Sequence, residues 1–124
     1  MPFFTSMFVS IDYSEDLKFI ATVNQEHGVI VDGDRKIAPS AMDFLLVGLG
    51  SCTAIDVVSI LKKMRENFRT LRVEVNGERA QDFPKVYTKV TLKYIVYGRV
   101  NEENLKKAIE LSQNKYCSAS IMFK

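Results

Sequence analysis

From Phe44 to Leu61 only Ser51, Thr53, Asp56 and Ser59 carry polar side chains, and Gly48 and Gly50 interrupt the bulky residues. A helix built on this stretch is apolar most of the way round, and such a helix is buried, in a core or in a membrane. Ser40 followed by Asp43 is a capping-box pattern just ahead of the apolar run. Its side chains can reach back to N–H groups that have no intrahelical acceptor, so the helix starts there. Over residues 40–67 it would be ~40 Å long at 1.5 Å per residue. That is long for a domain whose radius of gyration should be ~14 Å, and a partner subunit is expected to cover what one chain cannot.

Before the helix, Met7, Val9, Ile11 and Tyr13 alternate with Phe8, Ser10, Asp12 and Ser14. Leu17, Phe19, Ala21 and Val23 alternate with more polar residues after the Ser14-Glu15-Asp16 break. This period of two predicts two antiparallel strands. A second break over Asn24–Gly28, which includes His27, leads to a third strand at Val29–Val31, closed by Asp32-Gly33-Asp34. After the helix, Leu71, Val73 and Val75 alternate with charged and polar residues up to Asn76-Gly77, a turn or bulge signal. Residues 85–98 predict the longest strand, with Val86, Val90, Leu92, Tyr94 and Val96 on one face and Lys89 and Lys93 on the other. Asn101 then caps a second helix, with Glu102 and Glu103 in its first turn and Leu105, Ala108, Ile109 and Ser112 as its buried stripe. The order β-β-β, long helix, β-β, helix predicts an α+β fold in a single domain over residues 1–124.

Composition narrows the function. A formal net charge of +2 with a pI near 8.5, and no long run of Lys or Arg, gives nucleic-acid binding no support. Lys62, Lys63, Arg65 and Arg69 fall near the end of the helix, where cations complement its dipole. The Phe44–Leu61 run reaches the lower limit of a membrane span, ~17 residues. Asp56, the small polar residues and the hydrophilic remainder of the chain favour a core helix instead. Met1 is followed by Pro-Phe-Phe-Thr-Ser without a basic segment or a long apolar stretch, so a cytoplasmic location is expected.

Candidate chemistry reduces to the thiols. The lone His27 makes no metal-ligand spacing with Cys52 and Cys117, so no metal site is expected, and no motif around it suggests a Ser–His–Asp hydrolase. Gly48-Leu49-Gly50 lies inside the apolar helix rather than between a strand and a helix, which fits close helix packing better than a phosphate loop. Two cysteines in a cytosolic chain are better suited to thiol or redox chemistry than to a structural staple, although either cysteine taken alone is more often a small buried hydrophobe. The Cys52 side chain should lean over Gly48 and Leu49, where the absent side chain of Gly48 leaves a cavity. At ~18 Å from the helix start the dipole does little for a thiolate. Asp56, one turn on, opposes ionisation, so a cation must come from elsewhere.

The motif Pro-Ser-x-Met-Asp-Phe-Leu-Leu-x-x-Leu-Gly-x-Cys-Thr-Ala-Ile-Asp-Val-Val-Ser-Ile-Leu-Lys-Lys, with Glu78-Arg79, Pro84-Lys85-Val86-Tyr87-Thr88 and Lys115-Tyr116-Cys117-Ser118, closely resembles the OsmC/Ohr family, and more narrowly its OsmC-related branch. The resemblance covers most of the chain. It implies an OsmC-like fold in an intertwined homodimer, with two long central helices packed together and two active sites at the interface. It implies a thiol-dependent peroxidase of oxidative-stress defence that reduces small organic hydroperoxides, with Cys52 as the peroxidatic thiolate and Cys117 as the resolving thiol. An external dithiol is the implied reductant, and no cofactor is needed. An Arg–Glu pair ionises the first thiol in the family's peroxidases. Here Met42 stands ten residues before Cys52, where the carboxylate is expected, with Asp43 one place later. The first strands contain no Arg, which leaves Asp43, Arg79 and Arg35 as supporting candidates. A noncatalytic role on the same scaffold, binding a small apolar ligand or sensing oxidants, is the alternative.

Overall fold

The computed structural model describes residues 7–116 together with Ser120 and Met122, and of Tyr116 the backbone alone. The chain forms two compact units, Met1–Leu45 and Leu46–Lys124. The element order is the predicted one: strands β1 (Val9–Glu15), β2 (Lys18–Val23) and β3 (His27–Asp32), helix α1 (Ala41–Lys63), strands β4 (Asn67–Arg79) and β5 (Tyr87–Arg99), and helix α2 (Glu102–Leu111). A π-helical turn over Ser112–Tyr116 continues from α2.

In the first unit β1, β2 and β3 form one antiparallel sheet in that order. The register pairs Val9 with Val23, Ile11 with Ala21 and Tyr13 with Phe19, and then Ala21 with Val29 and Phe19 with Val31. The apolar positions of the alternating pattern therefore share one face. The break between β1 and β2 is tighter than the sequence suggests. β1 runs through Glu15, and Asp16 takes a left-handed φ of 51°. His27 is not in a turn: it opens β3 opposite Val23, because Asn24, Gln25 and Glu26 make the reversal, with Asn24 and Gln25 at φ 51° and 62° and the Glu26 N–H donating to Val23 O at 3.0 Å. Two consecutive positive φ values at the centre of the turn match the right-handed twist of the flanking strands.

In the second unit β4 and β5 form a long antiparallel hairpin. Val57, Leu61 and Ala108 are fully buried and gather Ile60, Phe68, Leu71, Tyr94, Val100, Leu105 and Ile109 around them, so the core lies between α1, α2 and one face of the hairpin. Three expectations are corrected here. Helix α1 ends at Lys63 rather than 67, because Arg65 turns left-handed at φ 59° and the N–H groups of Glu66 and Arg65 donate to Leu61 O and Lys62 O, both at 3.0 Å. That pair of bonds satisfies the last carbonyls of the helix. Asn76-Gly77 is neither turn nor bulge but mid-strand, opposite Thr91 and Val90. A glycine is required there because a Cβ would come within 2.7 Å of the Tyr87 ring and 3.0 Å of Leu46 Cδ1. The last strand spans Tyr87–Arg99 rather than 85–98, so Val86 is left outside the ladder and 53 % exposed.

By length and composition α1 could cross a membrane. Only 28% of its most apolar stretch is buried in this chain, along Leu49, Gly50, Thr53, Val57 and Leu61, so the all-round burial expected from the sequence is not met within the chain.

Candidate active site

Helix α1 begins as the sequence predicts. The Ser40 N–H and Oγ–H each donate to Asp43 Oδ2 at 2.9 Å, and Asp43 N–H returns to Ser40 Oγ at 3.3 Å. The same carboxylate does a second job. Arg35 Nε donates to Asp43 Oδ2 at 2.8 Å and its NH2 group pairs with Oδ1, a two-point clamp. The Arg35 bonds, followed by those from Ser40, hold the Asp43 carboxyl at about 2. Because this lies below the ordinary value of 3.8, the contribution of the pair to stability is present above pH ~4 and is lost as the pH falls toward 2.

Cys52 lies near the middle of α1 and is half-buried. The sequence predicts a cavity beside it at Gly48, and the structure corrects this. Gly48 is exposed and a Cβ built there meets nothing within 4 Å, so the room beside the thiol is open surface of this chain. Gly50 does serve close packing, since a Cβ would lie 2.7 Å from Val75 Cγ2. Next to it an apolar groove of about 370 Å³ runs between α1 and β4, lined by Leu46, Val47, Ala54, Leu71, Val73 and Val75. Arg79 closes the β4–β5 loop, its Nε donating to Lys85 O at 2.8 Å. Cys117 lies outside the described residues, and among the described residues no group of His, Cys, Asp and Glu could hold a metal.

One polar cluster has no signal in the sequence pattern. Thr53 Oγ1 lies 2.7 Å from both Tyr94 OH and Ser112 Oγ, and Gln113 Nε2 donates to Tyr94 OH at 2.7 Å and to Thr53 Oγ1 at 3.1 Å. Ser112 Oγ donates to Asp56 Oδ2 at 3.4 Å. With the Ser112 hydroxyl proton given to Asp56, the hydroxyl protons point one way, from Tyr94 through Thr53 and Ser112 to Asp56. The cluster ties the turn after Cys52 to β5 and to the π-helical turn that precedes Cys117. Thr53 and Ser112 are fully buried, so Thr53→Val, which keeps the shape but removes the central hydroxyl, should destabilise the protein by about 1–3 kcal/mol. A urea denaturation midpoint unchanged from wild type would contradict this.

Comparison with known proteins decides the family. The sequence model of the OsmC-like protein family matches residues 32–124. The chain belongs to the OsmC-like family. Protein YhfA of Escherichia coli K12 is 36% identical over 114 residues, which cover 90% of this chain and 85% of that protein. A hypothetical protein of Aquifex aeolicus VF5 superposes with a TM-score of 0.88 at 30% identity, over 96% of this chain and 87% of that one. A Psychrobacter arcticus 273-4 protein, itself only proposed as an osmotic stress induced and detoxification response protein, shares the fold at 20% identity, with a TM-score of 0.82 over 98% of this chain and 91% of that one. The OsmC-like match begins at Asp32, so it takes in Arg35, Asp43, Cys52 and Cys117 together.

Proposed function

We propose that this OsmC-like chain is a cytoplasmic, stress-related thiol peroxidase that reduces organic hydroperoxides through Cys52 and Cys117. The Cys52 thiolate attacks the distal peroxide oxygen, the O–O bond breaks, and the alkoxide leaves and takes up a proton. The resulting sulfenic acid condenses with the Cys117 thiol, releasing water and forming a disulfide. An external dithiol then reduces the disulfide, and no cofactor takes part. The observation that carries this reading is the OsmC-like family match, which takes in Cys52 and Cys117 together. The family pattern asks for a carboxylate at the position of Met42, and the structure pairs the neighbouring Asp43 with a guanidinium. Arg35 and Arg79 both stay candidates for the activating cation. Reduced protein should consume an organic hydroperoxide such as cumene hydroperoxide in proportion to added dithiol. Mass spectrometry should then find a Cys52–Cys117 disulfide, and peroxide left unconsumed would sink the proposal. In that event, a small apolar ligand co-purifying with the protein would establish the noncatalytic reading, which Met42 at the carboxylate position favours.

The proposed active form is a homodimer. Val9, Ile11, Tyr13 and Val29, on one face of the β1–β3 sheet, are 44–64 % exposed, and Val47 and Ile55 of α1 are 53 % and 66 % exposed. Apolar surface of this extent is usually an interaction site. Light scattering should give twice the chain mass of 14.1 kDa, and a stable monomer would refute the dimer.

A further inference from the structure

The segment between β3 and α1 is organised by one residue. Asp32 ends β3 with its side chain fully buried. Its Oδ1 accepts from the Asp34 N–H at 2.9 Å, and its Oδ2 accepts from the N–H groups of Lys36 and Ile37, both at 3.0 Å. Its main chain closes the same loop: Asp32 N–H donates to Pro39 O at 2.9 Å, and Arg35 N–H donates to Asp32 O at 3.1 Å. Five hydrogen bonds from one residue thus fix the path of residues 33–39. Within that path Arg35 takes a φ of 56°, a left-handed conformation that a residue with a side chain adopts only where its surroundings over-determine it.

We propose that Asp32 is the positioning residue of the Arg35–Asp43 clamp: by drawing three backbone amides onto its carboxylate it holds the loop in the one conformation that turns Arg35 toward Asp43. Its significance for catalysis rests on the peroxidase reading, in which Arg35 is a candidate cation for Cys52. The geometric role does not. A carboxylate suits the task because it offers two acceptor oxygens and no donor, whereas an amide of the same shape offers one oxygen and presents an N–H₂ group to the remaining amides. The Ile37 N–H, with those of Asp34 and Lys36, holds the Asp32 carboxyl below its ordinary value, so the charged form is the one that binds the loop. The charged neighbours on the packed elements are Lys18 of β2, which adds an attractive charge, and Asp34, Arg35 and Lys36 of the loop itself.

The test follows Asp43 rather than activity. In ¹³C NMR titrations the wild-type Asp43 carboxyl should titrate at about 2. Arg35→Met should raise its proton affinity about tenfold or more. Asp32→Asn should raise it in the same direction, and the double variant should go no further than Arg35→Met alone, because Asp32 acts through Arg35. Asp32→Glu keeps the charge but moves the acceptor oxygens out by one methylene, and it serves where Asp32→Asn does not fold. A folded Asp32 variant whose Asp43 titrates as in wild type would overturn the proposal, as would full additivity with Arg35→Met. Failure of both Asp32 variants to fold would also overturn it, since the role would then be structural. The Cys52 thiolate absorbance should shift to higher pH in step with Asp43. If Asp43 moves and Cys52 does not, the activating role of Arg35 fails while the positioning role of Asp32 stands.

Discussion

Cys52→Ser is expected to lower organic hydroperoxide turnover by about three orders of magnitude or more. Cleaving the O–O bond requires an anionic, polarisable nucleophile. A thiol ionises to a useful fraction near neutral pH, whereas a serine hydroxyl does not. The substitution should leave the fold in place. Cys52 is half-buried in the middle of α1, serine is close to it in size, and the fully buried stripe of Val57 and Leu61 lies elsewhere on the helix. Far-UV circular dichroism and the denaturation midpoint should therefore stay near wild type while the rate of peroxide loss falls to background. A serine variant that turned over at the wild-type rate would place the chemistry on another group. A wild-type protein that consumed no peroxide would leave Cys52 with the binding or sensing role.

The helix and strand order is legible in the sequence because it rests on local signals. The alternation of Val9, Ile11 and Tyr13, the Ser40–Asp43 box and the Asn101 cap each work within a few residues, and each is seen in the structure. What the sequence hides depends on partners distant along the chain. Asn76-Gly77 has the composition of a turn, yet Gly77 is small because the Tyr87 ring occupies the space. Thr53 and Asp56 look like polar interruptions of an apolar helix until Tyr94, Ser112 and Gln113 arrive beside them. Asp32-Gly33-Asp34 announces a turn, but not that the first carboxylate gathers three amides from the residues after it. Arg35 is the clearest case for the candidate site. No periodicity foretells a left-handed arginine, and only the closed loop shows that Arg35, eight positions before Asp43, pairs with it. The family resemblance points to the two thiols and to a cation near the first of them, and the structure shows an Arg35–Asp43 pair that the pattern of the sequence does not reveal.

Cys117→Ser should separate the two halves of the reaction. The first peroxide equivalent needs only the Cys52 thiolate, so mixing the reduced variant with excess hydroperoxide should give a burst of about one equivalent per chain at close to the wild-type rate. After the burst the sulfur carries the oxygen as a sulfenic acid with no thiol in the chain to condense with. A sulfenic-acid trap such as dimedone should label Cys52 in the variant and leave wild type nearly unlabelled. Steady-state turnover with a dithiol should fall by about tenfold to a hundredfold, because direct attack by the reductant is bimolecular while the internal thiol acts at a high effective concentration. Excess peroxide should also drive the variant to the sulfinic acid, which dithiols do not reverse, so its activity should decay with each cycle. Wild-type turnover without trapped sulfenic acid would remove Cys117 from the mechanism. Bridging requires the two Cα atoms to come within ~7 Å, so the burst and the disulfide together also test whether the segment after the π-helical turn brings Cys117 to Cys52.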